Sequence, residues 1–151
     1  LLFVECNESV RAYGAPKHRH LSEIEQELSL AAGEAVTISF TPHLVPVSSG
    51  IFTTTYATLA DGVSGEAVND CLESAYASAP FVRLLGEGAF PDTKNVTRSN
   101  RIDIGWVVDG RTGRLVLMSA EDNLGKGAAS QAIQSFNLMS GAEETDGLEN
   151  F

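Results

Sequence analysis

The chain has 151 residues, of which 43% are hydrophobic and 20% are charged, a composition typical of a globular protein with one core of ordinary size. Its formal net charge of −10 argues against binding to a nucleic-acid backbone, because that affinity comes from clustered Lys and Arg side chains. No apolar run approaches the roughly 20 residues that a membrane-spanning helix needs, and two cysteines are too few for a disulfide scaffold, so a reducing compartment is expected.

The first six residues, LLFVEC, contain no initiator methionine, no charged leader and no cleavage signal. We therefore expect the chain to be part of a longer protein. Cys6 ends this apolar, strand-like run, which is not the context of an activated thiol.

The segment after residue 20 has the signals of a short helix. Ser22 and Glu25 have the spacing of a capping box, in which each side chain accepts a hydrogen bond from a backbone amide at the helix start. Ile24 and Leu28 follow at helical spacing and form one apolar face. Gly33 is the predicted end of the helix.

Two histidines lie immediately before this helix, in the stretch KHRHLSEIEQEL. If this stretch is extended, His18 and His20 project to one side and Arg19 to the other. An imidazole pair followed by a helix-initial carboxylate such as Glu23 supplies a proton-transfer group near neutral pH and an anion to orient it. A surface loop whose histidines simply meet solvent also fits, because His-x-His is short and common.

The middle of the chain predicts strands around a second helix. AVTISF at 35–40 is apolar and β-branched, and the alternation over 51–59 is typical of a half-exposed sheet. Residues 61–62, Asp-Gly, predict a turn. Apolar side chains at helical spacing over 65–79 predict a helix with Cys71 as a buried core thiol.

Three further strands and a long helix complete the pattern. The strands are predicted at 81–85, 101–109 and 113–120, and the turn DGRTG makes the last two an antiparallel hairpin. A helix over 123–141 begins with small residues and ends at Gly141. This order predicts an α+β fold in which helices cover a largely antiparallel mixed sheet.

The stretch GKGAAS at 125–130 fits neither glycine-rich nucleotide motif. Lys126 precedes Gly127, whereas a phosphate loop has the lysine after its second glycine. Ser130 replaces the last glycine of the dinucleotide fingerprint, and no parallel β unit surrounds it. A helix start without bulky side chains lets a ligand come close, although packing explains it equally well. Three histidines without a cysteine pair or His-x-x-x-His spacing predict no metal site.

Six phrases of the sequence are together more specific than any single motif. They are NESVRAYG, HRHLSEIEQEL, VTISFTPHLVPVSSGI, TRSN, DNLGKGAASQAIQSFNLMSG and ETDGL. In order and spacing they resemble the N-acetyl-γ-glutamyl-phosphate reductase family, which is related to aspartate-semialdehyde dehydrogenase and, more distantly, to glyceraldehyde-3-phosphate dehydrogenase. The resemblance implies a catalytic and dimerisation domain over 1–122, of the glyceraldehyde-3-phosphate dehydrogenase-like C-terminal type. It also implies a helix and tail over 123–151 that pack towards an NADP-binding domain outside this chain.

The resemblance implies an NADPH-dependent reductase of arginine biosynthesis, which converts N-acetyl-γ-glutamyl phosphate into N-acetylglutamate 5-semialdehyde. A cysteine thiolate would attack the acyl phosphate, phosphate would leave, hydride would reduce the thioester, and the hemithioacetal would collapse. The family's nucleophile lies in a Gly-Cys-Tyr-Pro-Thr motif and its nucleotide in a glycine-rich unit, and neither is found in these residues. We expect this chain alone to be inactive.

Two alternatives stay open. Related reductases act on glutamyl or aminoadipyl phosphates held on a small acidic carrier protein, although a net charge of −10 disfavours docking of such a partner. By itself, the chain could also be a non-catalytic dimerisation domain. The expected partners are the acyl phosphate, the NADP-binding domain and further copies in a homodimer or homotetramer. Neither nucleic acid nor a membrane is expected, and the expected location is the cytoplasm, or a plastid or mitochondrion in a eukaryote.

The resemblance assigns catalytic roles to the residues before the first helix. His18 is the first choice for the catalytic acid/base, and His20 is the alternative. Glu23 would orient or stabilise the imidazole. Arg19 and His20 would bind the substrate carboxylate or phosphate, because guanidinium groups bind such anions at two points. Tyr13 would be a further substrate contact.

The resemblance places the cofactor contacts after the last strand. Asn123 would hydrogen-bond the nicotinamide carboxamide of NADP(H), and Gly125 and Gly127 would let the ring approach. Two departures from the family pattern bear on the finer phosphate and substrate contacts. Ser49 replaces an arginine, and Arg-Ser at 98–99 replaces Val-Gly.

Overall fold

The computed structural model describes residues 7–148, which form two compact units divided after Ser48. The boundary predicted at residue 122 concerns packing against a domain outside this chain and stays a prediction. Cys6 and the strand-like run before it lie outside the described residues. None of the helices that the structure describes is long and apolar enough to cross a membrane.

The first unit is a helix with a small two-stranded sheet. Strands β1 (Arg11–Ala12) and β2 (His43–Leu44) pair antiparallel, and helix α1 spans Leu21–Ala32. The helix ends at Gly33 as predicted. The φ of this glycine is 72°, a left-handed value, and its N–H donates to the carbonyl of Ser29 at 2.9 Å.

The predicted capping box is wrong. Helix α1 begins after His20 without a side-chain cap, and Ser22 is exposed. Glu25 does not bind an amide of its own first turn, because its Oε1 accepts the N–H of Ile38 at 3.1 Å. The carboxylate therefore holds the chain that returns after the helix.

Residues 35–40, predicted as a strand, pair with no strand of the described chain. The alternation is real, since Val36 and Ile38 are half-buried while the residues beside them are exposed. The amides of this segment are bound by side chains of α1: Ser29 Oγ accepts from Val36 at 2.9 Å, as Glu25 does from Ile38. Side-chain acceptors thus replace the strand partner that the pattern predicted.

The second unit is built on a four-stranded mixed sheet with the strand order β3-β6-β5-β4. Its strands are β3 (Ile51–Thr58), β4 (Val82–Glu87), β5 (Ile102–Asp109) and β6 (Arg114–Glu121). The β3/β6 and β6/β5 pairs are antiparallel, and the β5/β4 pair is parallel. The α+β class, the largely antiparallel mixed sheet and the β5–β6 hairpin are confirmed.

Two helices belong to this unit. Helix α2 covers Gly65–Tyr76, and the side chain of Ser64 caps its first turn. Helix α3 covers Ser130–Ser140 and follows a π-helical turn over Gly125–Ala129. It ends as predicted at Gly141, which has a left-handed φ of 76°.

The prediction that Cys71 is a buried core thiol is wrong, because the residue is exposed. Val68 is the one residue of α2 that is buried. The helix contacts strand β4, and Cys71, three residues after Val68, stays at the surface.

The core of the second unit centres on β5, whose side chains alternate between the two faces of the sheet. Ile104 and the wholly buried Trp106 lie on one face, while Asp103 and Gly105 lie on the other. Asp103 is also wholly buried and is held by Arg83, whose Nε donates to Oδ1 at 2.8 Å. This hydrogen bond raises the pKa of the Arg83 guanidinium.

Gly105 has no room for a side chain, because a Cβ there would overlap the carbonyl oxygen of Ala89. We expect Gly105→Ala to lower the free energy of unfolding by about 2 kcal/mol or more, since backbone atoms must move to relieve the overlap. Gly110→Ala is the matched control, because nothing lies within 4 Å of a Cβ at that position. Urea unfolding measures both variants, and equal midpoints would contradict this packing.

Candidate functional site

Three of the predicted site residues of the first unit lie together in an aromatic cluster: Tyr13, His18 and His20. The centroid of the His18 ring lies 5.4 Å from that of Tyr13 and 5.1 Å from that of His20. Phe40, which was not predicted, is a third neighbour at 5.5 Å, and all three contacts are edge-to-face. His18 is half-buried, whereas Tyr13 and His20 are exposed.

A backbone turn, rather than an extended segment, brings the two imidazoles together. The N–H of Leu21 donates to the carbonyl of His18 at 3.1 Å, and His20 has helical φ and ψ of −86° and −6°. The N–H of His20 also donates to Nδ1 of His18 at 3.2 Å. The extended geometry considered for this stretch is wrong, although the two rings do lie side by side.

Glu23 and Arg19 are both exposed beside this cluster, Glu23 in the first turn of α1 and Arg19 just before the helix. Within residues 7–148, neither side chain makes a hydrogen bond or an ion pair. Among the described residues, the hydrogen bond that orients the imidazole of His18 comes from the His20 amide. The roles predicted for Glu23 and Arg19 stay predictions.

Asp122 is a buried carboxylate that was not among the predicted residues. Its Oδ1 accepts the N–H groups of Leu124 and Gly125 at 2.8 and 3.0 Å. Its Oδ2 accepts the N–H of Arg98 at 2.7 Å and the hydroxyl of Ser49 at 3.4 Å. These hydrogen bonds, with the Arg98 amide foremost, hold the pKa of Asp122 below its usual range. A carboxylate that accepts the N–H groups two and three residues ahead forms the contacts of a helix N-cap. An aspartate just before a predicted helix is therefore a signal that could have identified this residue from the sequence.

The side chain of Asn123 is oriented by the start of β3. Its Oδ1 accepts the N–H of Gly50 at 2.6 Å. This contact identifies the oxygen end of the amide, because a backbone N–H can only donate. The Nδ2 group makes no hydrogen bond within the part of the chain that the structure describes, so Asn123 offers a donor to a ligand.

The two predicted cofactor glycines have different surroundings. A Cβ on Gly125 would lie 2.9 Å from the carbonyl oxygen of Ser99, so packing within the protein already requires glycine there. A Cβ on Gly127 would meet nothing closer than 3.4 Å, and this residue is exposed. Gly127 is therefore the glycine whose missing side chain leaves space for a ligand.

Lys126, between these glycines, belongs to a polar network with helix α3. Its Nζ donates to Oε1 of Gln131 at 2.8 Å and to Oε1 of Gln134 at 2.7 Å. Gln134 in turn donates to Glu144 at 2.6 Å. Burial lowers the pKa of Lys126 and raises the pKa of Glu121. The amine of Lys126 therefore connects the π-helical turn to α3. No motif in the sequence predicts these contacts.

A family model for the semialdehyde dehydrogenase dimerisation domain matches residues 1–123, which is most of the chain. The chain belongs to the semialdehyde dehydrogenase family. The resemblance inferred from the six sequence phrases is thereby confirmed, since it placed the chain among these dehydrogenases and their relatives.

The curated relatives of this semialdehyde dehydrogenase domain are reductases. A protein of Akkermansia muciniphila named N-acetyl-gamma-glutamyl-phosphate reductase is 65% identical over 148 residues, which cover 98% of this chain and 43% of that protein. A protein of Moorella thermoacetica with the same name is 53% identical over the same shares of the two chains. The chain thus spans less than half the length of the curated relatives it matches.

Solved structures of the family share the fold. A probable aspartate-semialdehyde dehydrogenase from Pseudomonas aeruginosa matches with a TM-score of 0.69 at 20% identity, over 89% of this chain and 42% of that one. Aspartate semialdehyde dehydrogenase from Francisella tularensis also gives 0.69, at 14% identity over 89% and 40% of the two chains. At these identities the likeness supports the fold alone.

The lowered pKa of Asp122 makes stability depend on pH in a defined direction. The ionised carboxylate contributes at neutral pH, and its contribution is lost as the pH falls through the folded-state pKa. We expect Asp122→Asn to lower the free energy of unfolding at pH 7 by about 2 kcal/mol, and we expect the difference from wild type to shrink in acid.

Denaturant unfolding across a pH series measures both effects. Asp61→Asn is the control, because Asp61 is exposed in a turn and accepts no hydrogen bond within the described residues. A destabilisation by Asp122→Asn that is the same at every pH would contradict the role of the ionised carboxylate.

Proposed function

We propose that this chain is the histidine-bearing, dimer-forming part of an NADPH-dependent reductase of N-acetyl-γ-glutamyl phosphate, which forms N-acetylglutamate 5-semialdehyde in arginine biosynthesis. The observation that carries the proposal is the 65% identity, across 98% of this chain, to a relative of that name. The grouping of Tyr13 and His20 around His18 supports it, because a half-buried imidazole beside polar neighbours is what acyl transfer needs.

The proposed nucleophile is a cysteine of the full-length reductase outside these 151 residues. Neither Cys6 nor Cys71 stands in the Gly-Cys-Tyr-Pro-Thr motif associated with the nucleophile in this resemblance. Cys71 is an exposed thiol on the surface of α2. A thiolate is required because the thiol itself is a poor nucleophile.

His18 is the proposed catalytic residue of this chain. Attack of a thiolate on the acyl phosphate places negative charge on the carbonyl oxygen, and reduction of the resulting thioester charges the same oxygen again. An imidazole beside that oxygen stabilises the charge or supplies a proton. The exposed guanidinium of Arg19 is the proposed contact for the substrate carboxylate or phosphate.

The proposed cofactor is NADP(H), which supplies the hydride when bound. The free Nδ2 of Asn123 is matched to the carbonyl oxygen of a nicotinamide carboxamide, because Oδ1 is already occupied by Gly50. Exposed Gly127 leaves space for the ring. Gly125 shapes the turn without needing to touch the cofactor.

Helix α3 is the proposed contact with the NADP-binding domain. Several of its large apolar side chains are exposed, an arrangement expected of a surface that another domain covers. They are Ile133, Phe136, Leu138 and Met139.

The proposed partner of the sheet is a second copy of the chain. All eight residues of edge strand β3 are exposed, and Phe52 and Tyr56 project from the same face because they are four residues apart on a strand. A dimerisation role is part of the matched family description. An exposed apolar edge strand needs such a cover, because it otherwise promotes aggregation.

In the full-length reductase, we expect His18→Ala to lower kcat by about a hundredfold, the usual scale for losing a group that acts in the transition state. KM should change little, since such a group contributes little to binding of the ground state. His20→Ala should cost less, because it keeps the backbone amide that binds His18. Steady-state kinetics would contradict the proposal if neither variant slowed turnover tenfold, or if His20→Ala were the slower variant.

Dimer formation is tested with the double variant Phe52→Glu and Tyr56→Glu. Two charges on the apolar face of β3 should shift the full-length protein towards monomer, because burying an unpaired charge is costly. The control is Thr53→Glu with Thr55→Glu, which puts the same charges on the opposite face of the strand. Sedimentation velocity separates the species, and equal dimer fractions in the two double variants would contradict this interface.

A further inference from the structure

We propose that Arg98 is a phosphate-binding residue of the candidate site, and that its guanidinium binds the phosphate group of the acyl phosphate substrate. The inference rests on the proposed function, because it names the residue that holds the leaving group of that reaction. Two observations carry it. Arg98 has a strained backbone for which no contact of its side chain accounts, and its backbone lies against the turn that presents Asn123.

The backbone of Arg98 has a left-handed conformation. Its φ is 59°, and within residues 7–148 Glu8 is the other residue besides glycine with a positive φ. This conformation is unfavourable for a residue with a Cβ, whereas glycine adopts it freely. Strain of this kind persists where the surrounding structure imposes it, and it is concentrated at functional sites.

The contacts that impose this conformation are made by the backbone and do not require an arginine. The N–H of Arg98 donates to Oδ2 of Asp122 at 2.7 Å, and the carbonyl oxygen of Ser99 packs against Gly125. The Arg98 side chain is exposed, and within the described residues its guanidinium makes no hydrogen bond or ion pair. A glycine would make the same backbone contacts without strain, so the fold does not account for the arginine.

Arg98 lies next to the residues that orient Asn123. The Asp122 oxygen that accepts the Arg98 amide also accepts the hydroxyl of Ser49 at 3.4 Å. The next residue of each segment makes the neighbouring contact, since Oδ1 of Asn123 accepts the N–H of Gly50 at 2.6 Å. From this place, an arginine side chain is long enough to reach a ligand that the free Nδ2 of Asn123 binds.

The substrate phosphate is the anion expected beside this position. The carboxamide proposed to bind Asn123 is attached to the nicotinamide carbon next to the one that gives up the hydride. The substrate carbon that accepts the hydride must therefore lie beside the ring, and one oxygen joins that carbon to the phosphate. The phosphates of NADP(H) are farther away, because a ribose separates them from the ring. A guanidinium presents parallel N–H groups that match the oxygens of a phosphate.

The negative charge on the phosphate rises during acyl transfer. As the thiolate forms the C–S bond, the C–O bond to phosphate breaks, and its electron pair stays on the phosphate oxygen. A guanidinium at this group stabilises the added charge, and it binds inorganic phosphate when the reaction runs in reverse. Of the two contacts proposed for Arg19, the substrate carboxylate then remains.

The role of Arg98 is tested in the full-length reductase by the reverse reaction, in which inorganic phosphate is a substrate. We expect Arg98→Met to raise the KM for phosphate about tenfold or more, because a charge-assisted hydrogen bond is lost. The KM for NADP⁺ should stay near wild type. Arg98→Lys keeps the charge but not the two-point contact, so its KM for phosphate should lie between the other two values.

Arg114→Met is the matched control for the loss of charge. Arg114 is exposed at the first residue of β6, and Asp122 follows the last residue of that strand, so the two positions are a strand length apart. An unchanged KM for phosphate in Arg98→Met, an equal rise in Arg114→Met, or a rise in the KM for NADP⁺ alone would overturn the inference. Oxidation of the semialdehyde by the wild type without phosphate would instead overturn the proposed function.

Phosphate binding is also measured without turnover, by the Tm of the full-length protein in the absence of cofactor. A ligand that binds the folded protein raises Tm. We expect inorganic phosphate to raise the Tm of wild type and of Arg114→Met more than that of Arg98→Met, with potassium chloride at equal ionic strength as the reference. Equal shifts in the three proteins would contradict a phosphate site at Arg98.

Arg98→Gly separates this role from a structural one. Glycine relieves the positive φ, so we expect the urea midpoint of this variant to be at or above that of wild type. Its KM for phosphate should rise as in Arg98→Met. A lower midpoint would show that the Arg98 side chain stabilises the fold, and it would overturn the argument from strain.

Discussion

The hydrogen bonds to the buried carboxylate of Asp122 are the constraint on which the candidate cofactor site depends. Two short backbone contacts hold the turn after β6, and a third, from Arg98, joins a loop 24 residues away in the sequence. Loss of this acceptor would leave three amides without their partner, at about 1–3 kcal/mol each where water cannot replace it. The same turn presents Asn123, whose oxygen is held by Gly50. Asp122 thus holds the turn in place, and the Gly50 amide sets the direction of the Asn123 donor that a ligand would meet.

In the first unit, side chains also accept hydrogen bonds from backbone amides near the histidines. Backbone amides that have no strand or helix partner are bound by side chains: Glu25 binds Ile38, Ser29 binds Val36, and Nδ1 of His18 binds His20. The third contact differs in its consequence. A carboxylate or hydroxyl oxygen can accept a hydrogen bond from an amide N–H without any change in where its own hydrogen lies. A neutral imidazole nitrogen that accepts such a bond carries no hydrogen, so the ring hydrogen lies on the other nitrogen.

Local signals in the sequence predicted the parts of the fold that depend on local geometry. Gly33 and Gly141 end their helices because each adopts a left-handed φ that favours glycine, and the β5–β6 hairpin follows from its turn. The predictions for residues 35–40 and for Cys71 are wrong because their outcome depends on contacts that local spacing does not determine. The pattern at 35–40 is that of a strand, but the acceptors for its amides are side chains of α1. The spacing around Cys71 is that of a core helix, but Val68 is the one residue of α2 that is buried, and Cys71 is exposed.

In the candidate site, too, the contacts between residues close in sequence were predictable and the contacts between distant residues were not. Tyr13, His18 and His20 are close in sequence, and a turn brings the two histidines together, so their grouping was predictable. The Arg98 partner of Asp122 and the contact of Phe40 with His18 were not, because each joins residues more than 20 positions apart. The proposed reaction is tested most directly by running it in reverse. With NADP⁺ and phosphate, the full-length protein should oxidise N-acetylglutamate 5-semialdehyde with a kcat/KM about a hundredfold or more above that for aspartate semialdehyde. Preference for aspartate semialdehyde, or oxidation that does not require phosphate, would contradict the proposed function.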